Sequence, residues 1–157
     1  SGKSTYAEQM ALRLSPTPVY LATARIWDEE FRRRVQIHQE RRGPEWTNIE
    51  ENKELSRQQL PGRTILIGCV TPWCTNFFFD LEGDVNRSLE AVKEEFDRFT
   101  AQDATFIFVT NEIGAGGVSE NEVQRKFTDL LGWANQYIAS RADEVFWMVS
   151  GIPVQIK

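Results

Sequence analysis

A single α/β domain, with a mostly parallel sheet and flanking helices, is the fold this sequence predicts, on three observations. Short apolar runs alternate with amphipathic helical stripes, the pattern of right-handed strand–helix–strand crossovers. Those runs are continuously apolar, as strands covered on both faces are. Third, the chain opens on Ser1-Gly2-Lys3-Ser4-Thr5, the second half of G-x-x-x-x-G-K-[ST]. In that pattern a strand turns into a helix and backbone N–H groups wrap phosphates.

The first element is a helix from Thr5 to Leu14, its N-terminus turned toward the anion. Lys3 would reach β/γ-phosphate oxygens and the Ser4 hydroxyl would ligate Mg²⁺. The first glycine of the pattern and its preceding strand are not in the sequence, so the first strand of the sheet is expected to be missing. A buried strand is predicted at Pro18–Thr23. A helix from Asp28 to about Arg42 comes next, with Asp28, Glu29 and Glu30 in its first turn and Arg41 and Arg42 in its last, as the helix dipole favours. Further buried strands are predicted at Thr64–Val70, Thr105–Thr110 and Glu144–Ser150. Ile152–Ile156 reads as an edge strand because Pro153 cannot donate to a ladder. Leu89, Val92, Phe96 and Phe99 form one helical stripe. Val123, Phe127, Leu130, Leu131, Ala134 and Ile138 form a longer one, opened by a capping box at Ser119–Glu122.

At 157 residues the chain suits one domain, residues 1–157, with a real core. The net charge of −5 gives no general reason to bind nucleic acid or an anionic membrane. No apolar run approaches the roughly 20 residues that span a bilayer, and no signal peptide is seen. Cys69 and Cys74 read as buried free thiols of a reducing cytoplasm. One His and two Cys are too few for a structural zinc site.

Ligands of such sheets sit beyond the carboxyl ends of the strands. That points to the phosphate loop, Ala22-Thr23-Ala24, the turn after Val70, and Asn111–Gly117. In the last of these, Asn111 and Glu112 are better placed for chemistry than the glycines. His38 is the only imidazole. It shares a helical stripe with Phe31, Val35 and Arg42, and Arg34 and Arg41 flank it. Two readings stand: a ring packed at the margin of an apolar face, or a nucleophile for a phosphoryl centre. Six arginines from Arg25 to Arg42, with no lysine, suit planar recognition of phosphate or, more plainly, a solvated helix.

Taken in order, these residues resemble a known family. The segments are Ser1–Ser4, Tyr20–Ala24, Arg34-x-x-x-His38 through Arg42, Trp46, Val70–Asn76, Thr110-Asn111-Glu112-Ile113-Gly114 and Asn135-Gln136. Ala142–Val145 and the ending Val149-Ser150-Gly151-Ile152-Pro153-Val154-Gln155-Ile156-Lys157 complete them. They are similar to the bifunctional cobinamide kinase/cobinamide-phosphate guanylyltransferases of cobalamin biosynthesis.

The resemblance implies a P-loop NTPase-like (RecA-like) sheet in a cytoplasmic homotrimer that takes adenosylcobinamide, GTP, ATP and Mg²⁺. It implies phosphorylation of adenosylcobinamide by a nucleoside triphosphate, then transfer of GMP from GTP through a GMP-histidine intermediate to give adenosylcobinamide-GDP. The family histidine falls on His38, with Lys3 as its catalytic partner. Nucleotide contacts carry to Gly2, Lys3, Ser4, Ala22, Thr23, Ala24, Arg41, Arg42 and Glu50, and the metal contact to Ser4.

The chain departs from the family at Gly68, where the family carries Asp or Glu in a Walker-B-like place. It departs also at Ala115 and Pro72. Two alternatives stay open: a catalytically impaired nucleotide-binding homologue, which the Gly68 departure suggests, or a P-loop small-molecule kinase without guanylyltransferase activity, in which His38 merely packs.

Overall fold

Strand periodicity organises the computed structural model, which describes residues 1–157. Four strands, β1 (Val19–Ala22), β2 (Thr47–Glu50), β3 (Thr64–Gly68) and β4 (Thr105–Val109), form a wholly parallel sheet in the order β2-β1-β3-β4. Successive side chains point to opposite faces, so β1, β3 and β4 feed two cores. Val19, Leu21, Ile65 and Ile67 face the larger one, with Val70, Trp73, Phe96, Phe99, Leu130 and Leu131. Leu66 and Val109 face the smaller one, with Ala7, Ala11 and Trp46.

The larger core lies under α3 (Val70–Asp80), α4 (Val85–Thr100) and α5 (Glu122–Arg141), and the smaller under α1 (Lys3–Leu14). The expected helices at Leu89–Phe99 and Val123–Ile138 are the apolar faces of α4 and α5. Helix α2 (Glu29–Arg41) is capped by Asp28, whose side chain accepts from the Phe31 N–H at 2.8 Å. No residue of α2 is buried.

Several elements differ from the sequence expectation. The segment Glu144–Ser150 is no buried parallel strand. Its core, β5 (Phe146–Val149), alternates between half-buried and exposed, and pairs antiparallel with β6 (Ile152–Gln155) in a separate two-stranded sheet. Strand β2 carries no apolar run; its residues Thr-Asn-Ile-Glu are mostly exposed at a sheet edge. Beyond β3 the chain enters α3 rather than a turn, because Pro72 falls in the first helical turn, where its missing N–H has no intrahelical acceptor. Helix α5 is capped by Asn121, which accepts from the Gln124 N–H at 3.1 Å, rather than by a box from Ser119. Cys74 is buried, but Cys69 is only half-buried.

Candidate functional site

The register of the parallel sheet draws the site in one row. Ala22 lies opposite both Glu50 and Gly68, and Gly68 opposite Val109. This row is the carboxyl edge of the sheet. A small cavity of about 40 Å³ lined by Ser4, Glu8, Tyr20, Leu66, Gly68, Cys69 and Val109 brings the amino end of α1 to the same edge.

Gly2 holds the left-handed conformation at φ 83°, and a Cβ there would come within 2.9 Å of Gly151 Cα. Only glycine meets both demands without strain. The chain is pinned at this point by the Gly151 N–H donating to Ser1 O at 2.9 Å, so the β5–β6 turn buttresses the segment that leads into α1. Lys3 and Ser4 open α1, whose start carries no side-chain cap and leaves first-turn N–H groups without an intrahelical acceptor, the kind of helix start that suits an anion.

Polar side chains fix the other loops of this edge. Thr23 is fully buried, its hydroxyl donating to Cys69 O at 2.6 Å and accepting from the Cys69 N–H at 3.1 Å. Asn76 Nδ2 donates to Thr23 O and Asn52 O. Asn111 donates to Thr71 Oγ1 at 2.8 Å, and its carbonyl accepts from Asn135. Thr23, Asn111 and Asn135 therefore hold loops in position. Glu112 is exposed, and Ala22 and Ala24 are half-buried beside Thr23.

The arginines divide. Arg25 forks onto Asp80 at 2.7 and 2.5 Å, and Lys53 reaches Asp80 at 2.7 Å. The hydrogen bonds from Arg25 and then Lys53 hold the Asp80 carboxyl well below the usual carboxylate range. Arg34 pairs with Glu30, and Arg32 with Glu29, along α2. Arg42 is buried, its guanidinium 3.5 Å from the Tyr20 ring centre and donating to Asn48 Oδ1. Burial lowers its pKa and raises that of the Tyr20 phenol, which stays protonated at neutral pH. Arg33 and Arg41 are exposed and enter none of the eight ion pairs.

His38 does not pack at an apolar margin; it stands exposed in the last turn of α2. The helix is tied near its ends instead. Arg42 rests on Tyr20 at one end, while at the other Arg25 holds Asp80 and Trp27 meets Phe79 edge-on. Trp46, one of the residues that carry the family resemblance, is buried against Tyr20.

Sequence reasoning missed Tyr20 and Glu8 as residues of this cavity. The only available signals were the four-residue step from Ser4 to Glu8 and the two-residue step from Tyr20 to Ala22. No group of three or more His, Cys, Asp or Glu gathers anywhere as a metal cluster. A Mg²⁺ carried by a nucleotide does not need one, since phosphate oxygens, waters and one or two side chains complete its shell. The exposed Ser4 hydroxyl at the head of α1 fits that role.

Residues 1–156 match the family model described as cobinamide kinase / cobinamide phosphate guanyltransferase. The chain is similar to the bifunctional adenosylcobalamin biosynthesis protein CobU of Salmonella typhimurium, at 36% identity over all of this chain and 94% of that protein. It is 35% identical to that of Escherichia coli, over 94% of its length. It is 34% identical to the protein CobP of Pseudomonas aeruginosa, over 92% of its length. A glycine-lysine-serine loop at the carboxyl edge of a parallel sheet, and an end-to-end match to these relatives, carry one conclusion: the chain belongs to the cobinamide kinase / cobinamide phosphate guanyltransferase family.

Proposed function

We propose that this protein phosphorylates adenosylcobinamide with ATP or GTP and then joins GMP from GTP to the cobinamide phosphate through His38, giving adenosylcobinamide-GDP. The observation that carries the reading is the only imidazole of the chain, exposed on a helix rich in arginine, in a protein that matches the family along its whole length.

In the first reaction the α1 N-terminus, Gly2, Lys3 and Ser4 hold the triphosphate. The acceptor hydroxyl oxygen attacks the γ-phosphorus, the bond to the β,γ-bridging oxygen breaks, and the hydroxyl proton leaves to water. Lys3 neutralises charge on the oxygens. Mg²⁺, held by the phosphates and Ser4, supplies further charge neutralisation when bound.

In the second, the neutral His38 ring attacks the α-phosphorus with a ring-nitrogen lone pair. An N–P bond forms, the α,β-bridging O–P bond breaks, and pyrophosphate leaves. The phosphate oxygen of the acceptor then takes the GMP and the N–P bond breaks. Arg41, exposed one helical turn from His38, is positioned by sequence spacing to hold phosphate oxygens. Ala22, which pairs with both Glu50 and Gly68, together with Glu50 and with Thr23 and Ala24 just beyond β1, completes the proposed nucleotide contacts. Arg42 contributes by anchoring the helix on Tyr20.

Incubation with α-labelled GTP and Mg²⁺ leaves acid-labile, base-stable label on the protein, and His38→Ala removes it. Label that persists in that variant sinks the assignment. The proposed setting is cytoplasmic and the proposed assembly a homotrimer. Exposed Trp147, Val149, Ile152 and Val154 on β5 and β6 support association; sedimentation at micromolar concentration reads the stoichiometry.

One observation favours a second reading. Strand β3 ends in Gly68, with no carboxylate of its own beside the phosphate loop. A protein impaired by that loss binds GTP, and no cobinamide phosphate forms.

A further inference from the structure

The space beyond Gly68 is already filled. A Cβ at Gly68 would collide with Tyr20 Oη and lie 2.6 Å from Tyr20 Cζ. The ring cannot swing aside freely, because Arg42 stacks on it and Trp46 meets its edge with centroids 6.3 Å apart. Strand β3 therefore supplies no acidic side chain here, and the phenol that replaces one is a neutral group.

Glu8 is the acidic residue on the other wall of the same cavity. It lies four residues after Ser4 on α1, so the two share a helix face, about 5–6 Å apart at Cβ. Helical side chains lean toward the amino end, which aims the Glu8 carboxylate back toward the Ser4 hydroxyl. Glu8 is half-buried and enters none of the eight ion pairs. The neighbouring Arg42 gives its hydrogen bonds to Asn48 instead.

We infer that Glu8, on α1, takes over the magnesium-orienting task that a carboxylate at the end of β3 would perform, with Tyr20 closing off the original position. Glu8 acts as a positioning residue. It accepts hydrogen bonds from water around the ion and offsets its charge, while Ser4 and the phosphates ligate it. This rests on the phosphate-binding reading of Gly2-Lys3-Ser4. It also argues against impairment through Gly68, because a carboxylate still lines the cavity beside Ser4.

The test is calorimetric and needs no turnover. Binding of α,β-methylene GTP, which cannot pass on its GMP, is measured as MgCl₂ is raised from an EDTA-treated start. Glu8→Gln should raise the Mg²⁺ concentration at half-maximal enhancement by about 10-fold or more. It should leave metal-free affinity unchanged or tighter, because a carboxylate repels the phosphates. An unmoved Mg²⁺ midpoint overturns the assignment. If it comes with a lowered Tm, Glu8 serves only to neutralise Arg42. Should Glu8→Gln not fold, Glu8→Asp keeps the charge but withdraws it by one methylene, and its midpoint must still rise; no rise overturns the claim. Wild-type protein that fails to bind the analogue at any Mg²⁺ concentration sinks the phosphate-loop reading and this inference with it. Wild-type binding with an unmoved variant midpoint sinks this inference alone.

Discussion

Tyr20 and Gly68 define what a single side chain decides in this site. The phenol and the missing Cβ are complementary, so putting an acid back at the end of β3 is not a repair. Gly68→Asp should overpack the cavity, cost about 1–3 kcal/mol, lower Tm and leave phosphorylation of the corrinoid no faster. Faster phosphorylation with an unchanged Tm would show that Tyr20 moves freely. His38 is the opposite case. Its ring is exposed, so His38→Ala should change stability by no more than about 0.5 kcal/mol while removing the covalent label. A large fall in Tm would mean that the ring packs after all. The lone imidazole and the Gly-Lys-Ser loop were legible in the sequence because residue type alone marks them. The Tyr20 hydroxyl was not, since its position over Gly68 depends on two strands lying side by side.

At the scale of elements, α2 is the part that stands apart. It buries no residue and is held near its ends by Arg42 on Tyr20 and by Arg25 with Lys53 on Asp80. Asp80→Asn should loosen the amino-terminal tie and speed amide exchange in α2. The lowered Asp80 pKa also sets a pH dependence. A carboxyl lowered by folding adds stability above its unfolded value near 3.8, and that stability is lost as pH falls toward the folded value. The Tm gap between wild type and Asp80→Asn should thus be full at pH 6 and shrink below about pH 4. Added salt should also narrow it, because the cluster is partly exposed. A gap that is constant from pH 6 to pH 3 would remove the ion cluster as its cause. The strands β1, β3 and β4 and the helices α4 and α5 were visible as apolar patterns. Strand β2 and helix α3 were not: Thr-Asn-Ile-Glu carries no period, and Pro72 reads as a breaker unless its place in a first turn is known.

For the whole molecule, two cores on the two faces of one sheet set the stability. Trp73 is fully buried in the larger, and its ring N–H donates to Lys53 O at 2.9 Å. Trp73→Ala should cost about 3–5 kcal/mol through the cavity it leaves, read as a shift in the urea midpoint. A loss below 1 kcal/mol, about the scale of a surface change, would contradict its place in the core. Cys74 lies in the same core, and burial pushes its thiol up to about 12. It should therefore resist a thiol reagent at pH 8 until the protein unfolds. The apolar faces of β5 and β6 remain outside both cores.

The sequence alone determined the α/β class, the order of most elements and the candidate residues Gly2-Lys3-Ser4 and His38, since these come from apolar periodicity and residue type. Tertiary structure alone decided that Arg42 anchors a helix, that Tyr20 closes the space over Gly68, and that Glu8 shares a cavity with Ser4. The reason is distance along the chain. Periodicity reports neighbours a few residues apart, whereas Glu8, Tyr20, Arg42 and Gly68 meet only when the strand register and the packing of α1 bring them together.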